Sequence, residues 1–125
     1  MSKKTDRQFT EHIEAWLRST PEAVVAALRS SLPKRGLMGN YHKGYVAVNV
    51  GNAAVVKDRN IRCVFYIVPQ GGETWVVSEM THAIIHTRYT SELLGRDQHL
   101  AFLCDFGLAL KKLDTSAKIY VGEAR

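Results

Sequence analysis

The first apolar positions are Phe9, Ile13, Trp16 and Leu17, spaced i, i+4, i+7 and i+8. On a 3.6-residue period they make one stripe, which predicts a helix over roughly 6–18. A second helix is predicted over roughly 21–31. Thr20 can cap it, Pro21 suits its first position, Glu22 favours its positive end, and Val24, Val25, Ala27 and Leu28 form its apolar side. Pro33 and Gly36 prevent its continuation.

From Tyr45 the period changes. Tyr45 to Val50 alternates and is β-branched, and Gly51-Asn52 is either a two-residue hairpin turn or a bulge in one longer strand reaching Val56. Ile61 to Val68 is the strongest strand; both its faces are largely apolar, so it belongs in the centre of a covered sheet. Pro69 to Glu73 reads as a hairpin loop returning into Thr74 to Glu79. Ala83, Ile84 and Ile85 fit a short strand or a helical turn equally. A long C-terminal helix follows, with a start signal at Thr90-Ser91-Glu92 and an interruption at Gly95-Arg96-Asp97. It runs to about Leu113, with Leu100, Leu103, Cys104, Gly107 and Leu110 as its core stripe, widened by Phe106. Gly107 costs about 1 kcal/mol of helix propensity, which suggests close contact with the sheet. Lys118 to Val121 reads as a last strand.

The expected fold is α+β: two N-terminal helices, a mainly antiparallel sheet of about four to five strands, a long C-terminal helix and a final strand. The chain of 125 residues is expected to form a single domain, with residues 1–5 as a flexible tail.

Net charge is +5, with 17 Lys and Arg against 12 Asp and Glu. Its distribution says more than its size. Residues 1–62 hold 11 Lys and Arg against 5 Asp and Glu, a net of +6, whereas residues 63–125 hold 6 against 7, a net of −1. A one-sided basic surface favours an anionic partner. No run approaches the roughly 18 apolar residues needed to span a bilayer, and the N-terminus lacks the apolar run of a secretory signal. Cys63 and Cys104 both sit among apolar neighbours and read as buried thiols. These features place the protein in the cytoplasm, away from membranes.

Three segments could carry chemistry. The loop around 34–45 combines the cations Lys34, Arg35 and Lys43 with the planar groups Tyr41, His42 and Tyr45, and Gly36, Gly39 and Gly44 let its backbone bend close to a ligand. Cations among aromatics suit nucleic acid, with phosphates on Lys and Arg and bases stacked on rings. His82 and His86 have metal-ligand spacing on a helix, but on a strand lie about 13 Å apart, too far for one ion; no metal or cofactor is expected. His42 and His86 with Arg88 or Lys43 supply the group types of a metal-independent ribonuclease. Walker, dinucleotide-binding and nucleophile-elbow motifs are missing.

The leading expectation is a small non-enzymatic binding or regulatory protein that contacts nucleic acid or a nucleoprotein complex through Lys34, Arg35, Tyr41, His42, Lys43 and Tyr45. The alternatives are a protein-binding inhibitor or adaptor anchored by Trp16, Tyr66, Trp75 and Tyr120, with homodimerisation at an open sheet edge, and the histidine-dependent ribonuclease.

Overall fold

The computed structural model describes residues 4–32, 45–48, 53–57, 61–79, 81–86 and 92–123. In chain order the elements are β1 (Lys4–Phe9), β2 (Glu11–Leu17), α1 (Pro21–Ser30), β3 (Tyr45–Val48), β4 (Ala53–Lys57), β5 (Ile61–Gln70), β6 (Glu73–Ser78), β7 (Thr81–His86), α2 (Glu92–Leu113) and β8 (Lys118–Glu123). The fold is α+β, and among the described residues every strand pairing is antiparallel.

The N-terminal helix expected over 6–18 is replaced by β1 and β2. Along β2 the buried positions Glu11, Ile13, Ala15 and Leu17 alternate with Glu14 and Trp16, which are more open. Trp16 and Leu17, neighbours on the supposed helical stripe, therefore lie on opposite faces of a sheet. The small Ala15 completes a period of two that the larger residues had masked. β1 also takes in Lys4 and Thr5, two of the five residues expected in a tail.

The sheet unites eight strands, more than the four to five expected, because β1, β2 and β7 all join it. β6 and β7 lie in succession along one edge of β5, while β4 takes its other edge and carries β3. β1 then pairs with β7 and β2 with β6, and β8 closes the far side against β2. β3 and β4 are separate antiparallel strands, not one longer strand reaching Val56, and the Gly51-Asn52 turn lies outside the described residues. Gly71 and Gly72 join β5 to β6 with φ of 58° and 85°, the paired positive values of a tight two-residue hairpin turn.

Both helices cover the same face. Val24, Ala27 and Leu28 of α1 and Phe102, Leu103, Phe106 and Leu110 of α2 share one core with Ile13, Leu17, Val56, Phe65, Ile67 and Val76 of the sheet. Phe65 is its centre: the rings of Phe106 and Phe102 meet it edge-on at 5.4 and 6.2 Å. α1 starts as expected, with the Thr20 side chain accepting from the Ala23 amide at 3.2 Å. α2 is continuous from Glu92, through the segment 95–97 expected to interrupt it. Its core stripe is rotated from the expected one: Phe102 is buried and Cys104 is exposed, whereas Cys63 is buried as expected. Gly107 does approach the sheet, and a Cβ there would lie 3.4 Å from Ile119 Cγ2 and 3.6 Å from Val121 Cγ2.

Asp114 ties the end of α2 to β2. Its Oδ2 accepts from the Arg18 amide at 2.8 Å, and its Oδ1 accepts from the amide and hydroxyl of Ser116. The Ser116 hydroxyl, followed by the two backbone donors, holds the Asp114 carboxyl below the usual carboxylate range.

Candidate nucleic-acid interface

With both helices on one face, no described helix covers the other. The pleat places every second residue there, and antiparallel register lines those residues into rows. Val68, Trp75, Trp16 and Lys118 form one row across β5, β6, β2 and β8. Ala53, Tyr66, Val77, Glu14 and Tyr120 form the next row. Six residues along β5, about 20 Å from Val68, Tyr45, Lys57, Arg62, His82 and Gln8 occupy a third register row.

The first two rows supply planar surface. Trp16 and Trp75 stack with ring centroids 5.6 Å apart and planes inclined by 23°. Trp16 and Tyr66 are exposed, and Trp75 and Tyr120 are half-buried. The buried indole N–H of Trp75 has no acceptor among the described residues. At the edge of the face the Tyr120 hydroxyl donates to the Glu123 carbonyl at 2.7 Å, and its ring lies 5.7 Å from that of His12.

Charge is interleaved with these rings. Lys118 and Arg62 are exposed, in register beside Trp16 and four residues before Tyr66 respectively. The Tyr66 hydroxyl donates to Glu79 Oε1. That bond raises the phenol above its ordinary value, helped by slight desolvation and by the negative charge of Glu79, while the positive charge of Arg62 opposes them. Tyr66 therefore sits between an anion and a cation on the open face.

Of the residues assigned to this role from sequence, Tyr45 lies on β3, opposite Lys57 and in the row of Arg62. Lys34, Arg35, Tyr41, His42 and Lys43 lie outside the described residues. Arg62, Glu79 and Lys118 were not singled out; the alternation of β5, β6 and β8 was the signal that could have found them. His82 and His86 are on the strand β7, opposite Gln8 and Lys4 of β1, so the helical metal-ligand geometry does not arise. Among the described residues no group of three His, Cys, Asp or Glu is placed to hold a metal, and no helix is long and apolar enough to cross a membrane. His42 and Arg88, the partners suggested for His86 in RNA cleavage, lie outside the described residues.

A different ionisable group lies on the helix-covered face. His99 of α2 is fully buried, and burial pushes its pKa down to about 4 against the opposing charge and backbone hydrogen bond of Glu11. Glu11 is itself buried, and in register it faces Glu123.

No protein-family model matches the chain, and no curated protein matches it. A solved structure, TTHA0849 from Thermus thermophilus, is similar over 91% of this chain and 99% of its own, at 12% sequence identity and a TM-score of 0.38.

Proposed function

We propose that this protein is a small non-enzymatic binding protein for single-stranded nucleic acid, free or within a nucleoprotein complex, and that it uses the open face of its sheet. The observation that carries the reading is the aromatic surface of exposed Trp16 and Tyr66 and half-buried Trp75, flanked by the cations Lys118 and Arg62. Aromatic rings on a sheet stack unpaired bases without regard to sequence, and neighbouring cations meet the phosphates. The basic loop extends the surface in this reading. Lys34, Arg35, Tyr41, His42 and Lys43 lead along the chain into Tyr45, which stands in the register row of Lys57 and Arg62. The excess of positive charge in residues 1–62 supports the same assignment.

Fluorescence anisotropy with labelled oligo-U and oligo-dT tests it. Binding is expected at low salt, with affinity falling steeply as salt rises, because condensed counterions are released from the strand. Absence of binding at low salt overturns the proposal.

The same exposed Trp16 and Tyr66 favour a second reading, a protein-binding adaptor, since aromatic side chains dominate interface energetics. A complex isolated with the protein that survives nuclease treatment supports this reading, and one that vanishes on treatment removes it.

A further inference from the structure

The open face carries carboxylates as well as rings and cations. On a surface for a polyanion each carboxylate weakens attraction, so its placement calls for a use. Glu79 is the best placed of them. Its backbone amide donates to the Val64 carbonyl at 2.9 Å, which holds it in line with β5, and its side chain accepts from the Tyr66 hydroxyl. It also sits where the register shifts. Between the pairs Phe65↔Ser78 and Arg62↔His82, three steps along β5 face four steps along the neighbouring strands. Glu79 therefore stands where β7 takes over from β6 along the same edge of β5.

We propose that Arg62, Tyr66 and Glu79 form a nucleotide subsite that selects guanine, with Arg62 on a phosphate, Tyr66 beneath the base and Glu79 on the base edge. The inference rests on the nucleic-acid reading above and names the base that reading leaves open. An ionised carboxylate only accepts hydrogen bonds, and its two oxygens suit two parallel donors. Guanine places two donors side by side on its Watson–Crick edge, the N1 hydrogen and the 2-amino group. Adenine and cytosine set their amino group beside a ring acceptor, and uracil has one N–H between two carbonyls. The Tyr66 hydroxyl occupies one lone pair of Oε1 and fixes the orientation of the carboxylate, leaving acceptor capacity on both oxygens. Arg62 lies close enough to Tyr66 for its charge to act on the phenol. It stands four residues before Tyr66 on β5, about 13 Å along the strand, a separation that its long side chain and a nucleotide's sugar-phosphate together bridge.

The test uses the full chain and U-rich oligonucleotides with one central G, A, C, U or inosine, each competing against a labelled strand. The G strand is expected to bind about tenfold more tightly than the all-U strand, the discrimination of one bidentate base contact. Inosine, which lacks the 2-amino donor, should fall between them. Glu79→Gln should erase the preference while all-U binding holds or rises, because a negative charge is removed. Tyr66→Phe keeps the stacking ring and should weaken the preference more than the all-U affinity. If the wild type binds all five strands equally, and Trp16→Ala still weakens binding, the guanine subsite is wrong and the nucleic-acid function stands. If no strand binds at low salt, both fall.

Discussion

Trp16 and Trp75 face each other directly across β2 and β6 and stack at 5.6 Å on the face that no described helix covers. A cross-strand aromatic pair of this kind contributes roughly 0.5–1.5 kcal/mol to folding. A base stacked on an aromatic ring contributes about 1–3 kcal/mol to binding. Trp16→Ala is therefore expected to lower stability by about 1 kcal/mol and nucleic-acid affinity by about tenfold or more. Chemical denaturation and anisotropy on the same preparation separate the two effects. Titration with oligo-U should also quench the tryptophan fluorescence of the wild type. A variant with reduced stability and unchanged affinity would assign the pair to the sheet alone.

Salt dependence distinguishes phosphate contacts from stacking. Each phosphate neutralised on a single strand contributes about 0.7 to the slope of log affinity against log salt. Arg62→Ala and Lys118→Ala are each expected to reduce the slope by about that amount, with similar losses on U-rich and A-rich strands. Trp16→Ala should weaken binding and leave the slope unchanged. Equal slopes for all these variants would remove Arg62 and Lys118 from the interface.

The elements legible in the sequence were those whose signals are local. Thr20, Pro21 and Glu22 mark the start of α1 because capping and the helix dipole act within one turn. Gly71 and Gly72 mark the hairpin because few other residues take two successive positive φ angles. β1 and β2 read as one helix because Phe9, Ile13 and Trp16 happen to fit a helical period, and their sheet partners in β7, β8 and β6 lie far along the chain. The rotation of α2 that exposes Cys104 and buries Phe102 is likewise set by packing, in this case against Phe65. The candidate site was half legible. Trp16, Tyr66, Trp75 and Tyr120 stood out by residue type, but only strand register brings them into two adjacent rows with Lys118, and sets Arg62 on the same face two rows beyond Tyr66.

Gly107 allows a sharp test of how closely α2 approaches the sheet. A Cβ at this position would meet Ile119, Val121 and Ile13 side-chain atoms at 3.4–3.7 Å, which is ordinary van der Waals contact. Gly107→Ala therefore recovers helix propensity without a clash, and a gain of about 0.5–1 kcal/mol is expected. Gly107→Leu adds volume that these three side chains cannot accommodate, and a loss of roughly 1–3 kcal/mol is expected. Urea midpoints of the two variants should move in opposite directions. A loss on Gly107→Ala would mean that α2 sits closer to β8 than described.

The buried His99 gives folding a dependence on pH whose sign follows from its environment. Burial lowers its pKa to about 4, against an ordinary value of 6.5, so the folded chain keeps it neutral through a range in which the unfolded chain protonates it. Between those two values the unfolded state binds more protons than the native state. Stability from this group is therefore complete above about pH 6.5 and is lost as pH falls toward 4. The displacement of about 2.5 units corresponds to about 3 kcal/mol over the whole window. Glu11 moderates the loss, because its charge favours the imidazolium. Other carboxylates, Asp114 among them, add their own loss in acid, so the informative quantity is a difference. His99→Leu should be less sensitive than the wild type between about pH 6.5 and 4.5, so the stability of the wild type relative to the variant falls as pH falls. Urea denaturation of both proteins across that range measures the difference. Parallel curves would mean that His99 titrates in the native state much as it does in the unfolded chain, and that α2 does not seal it against the sheet.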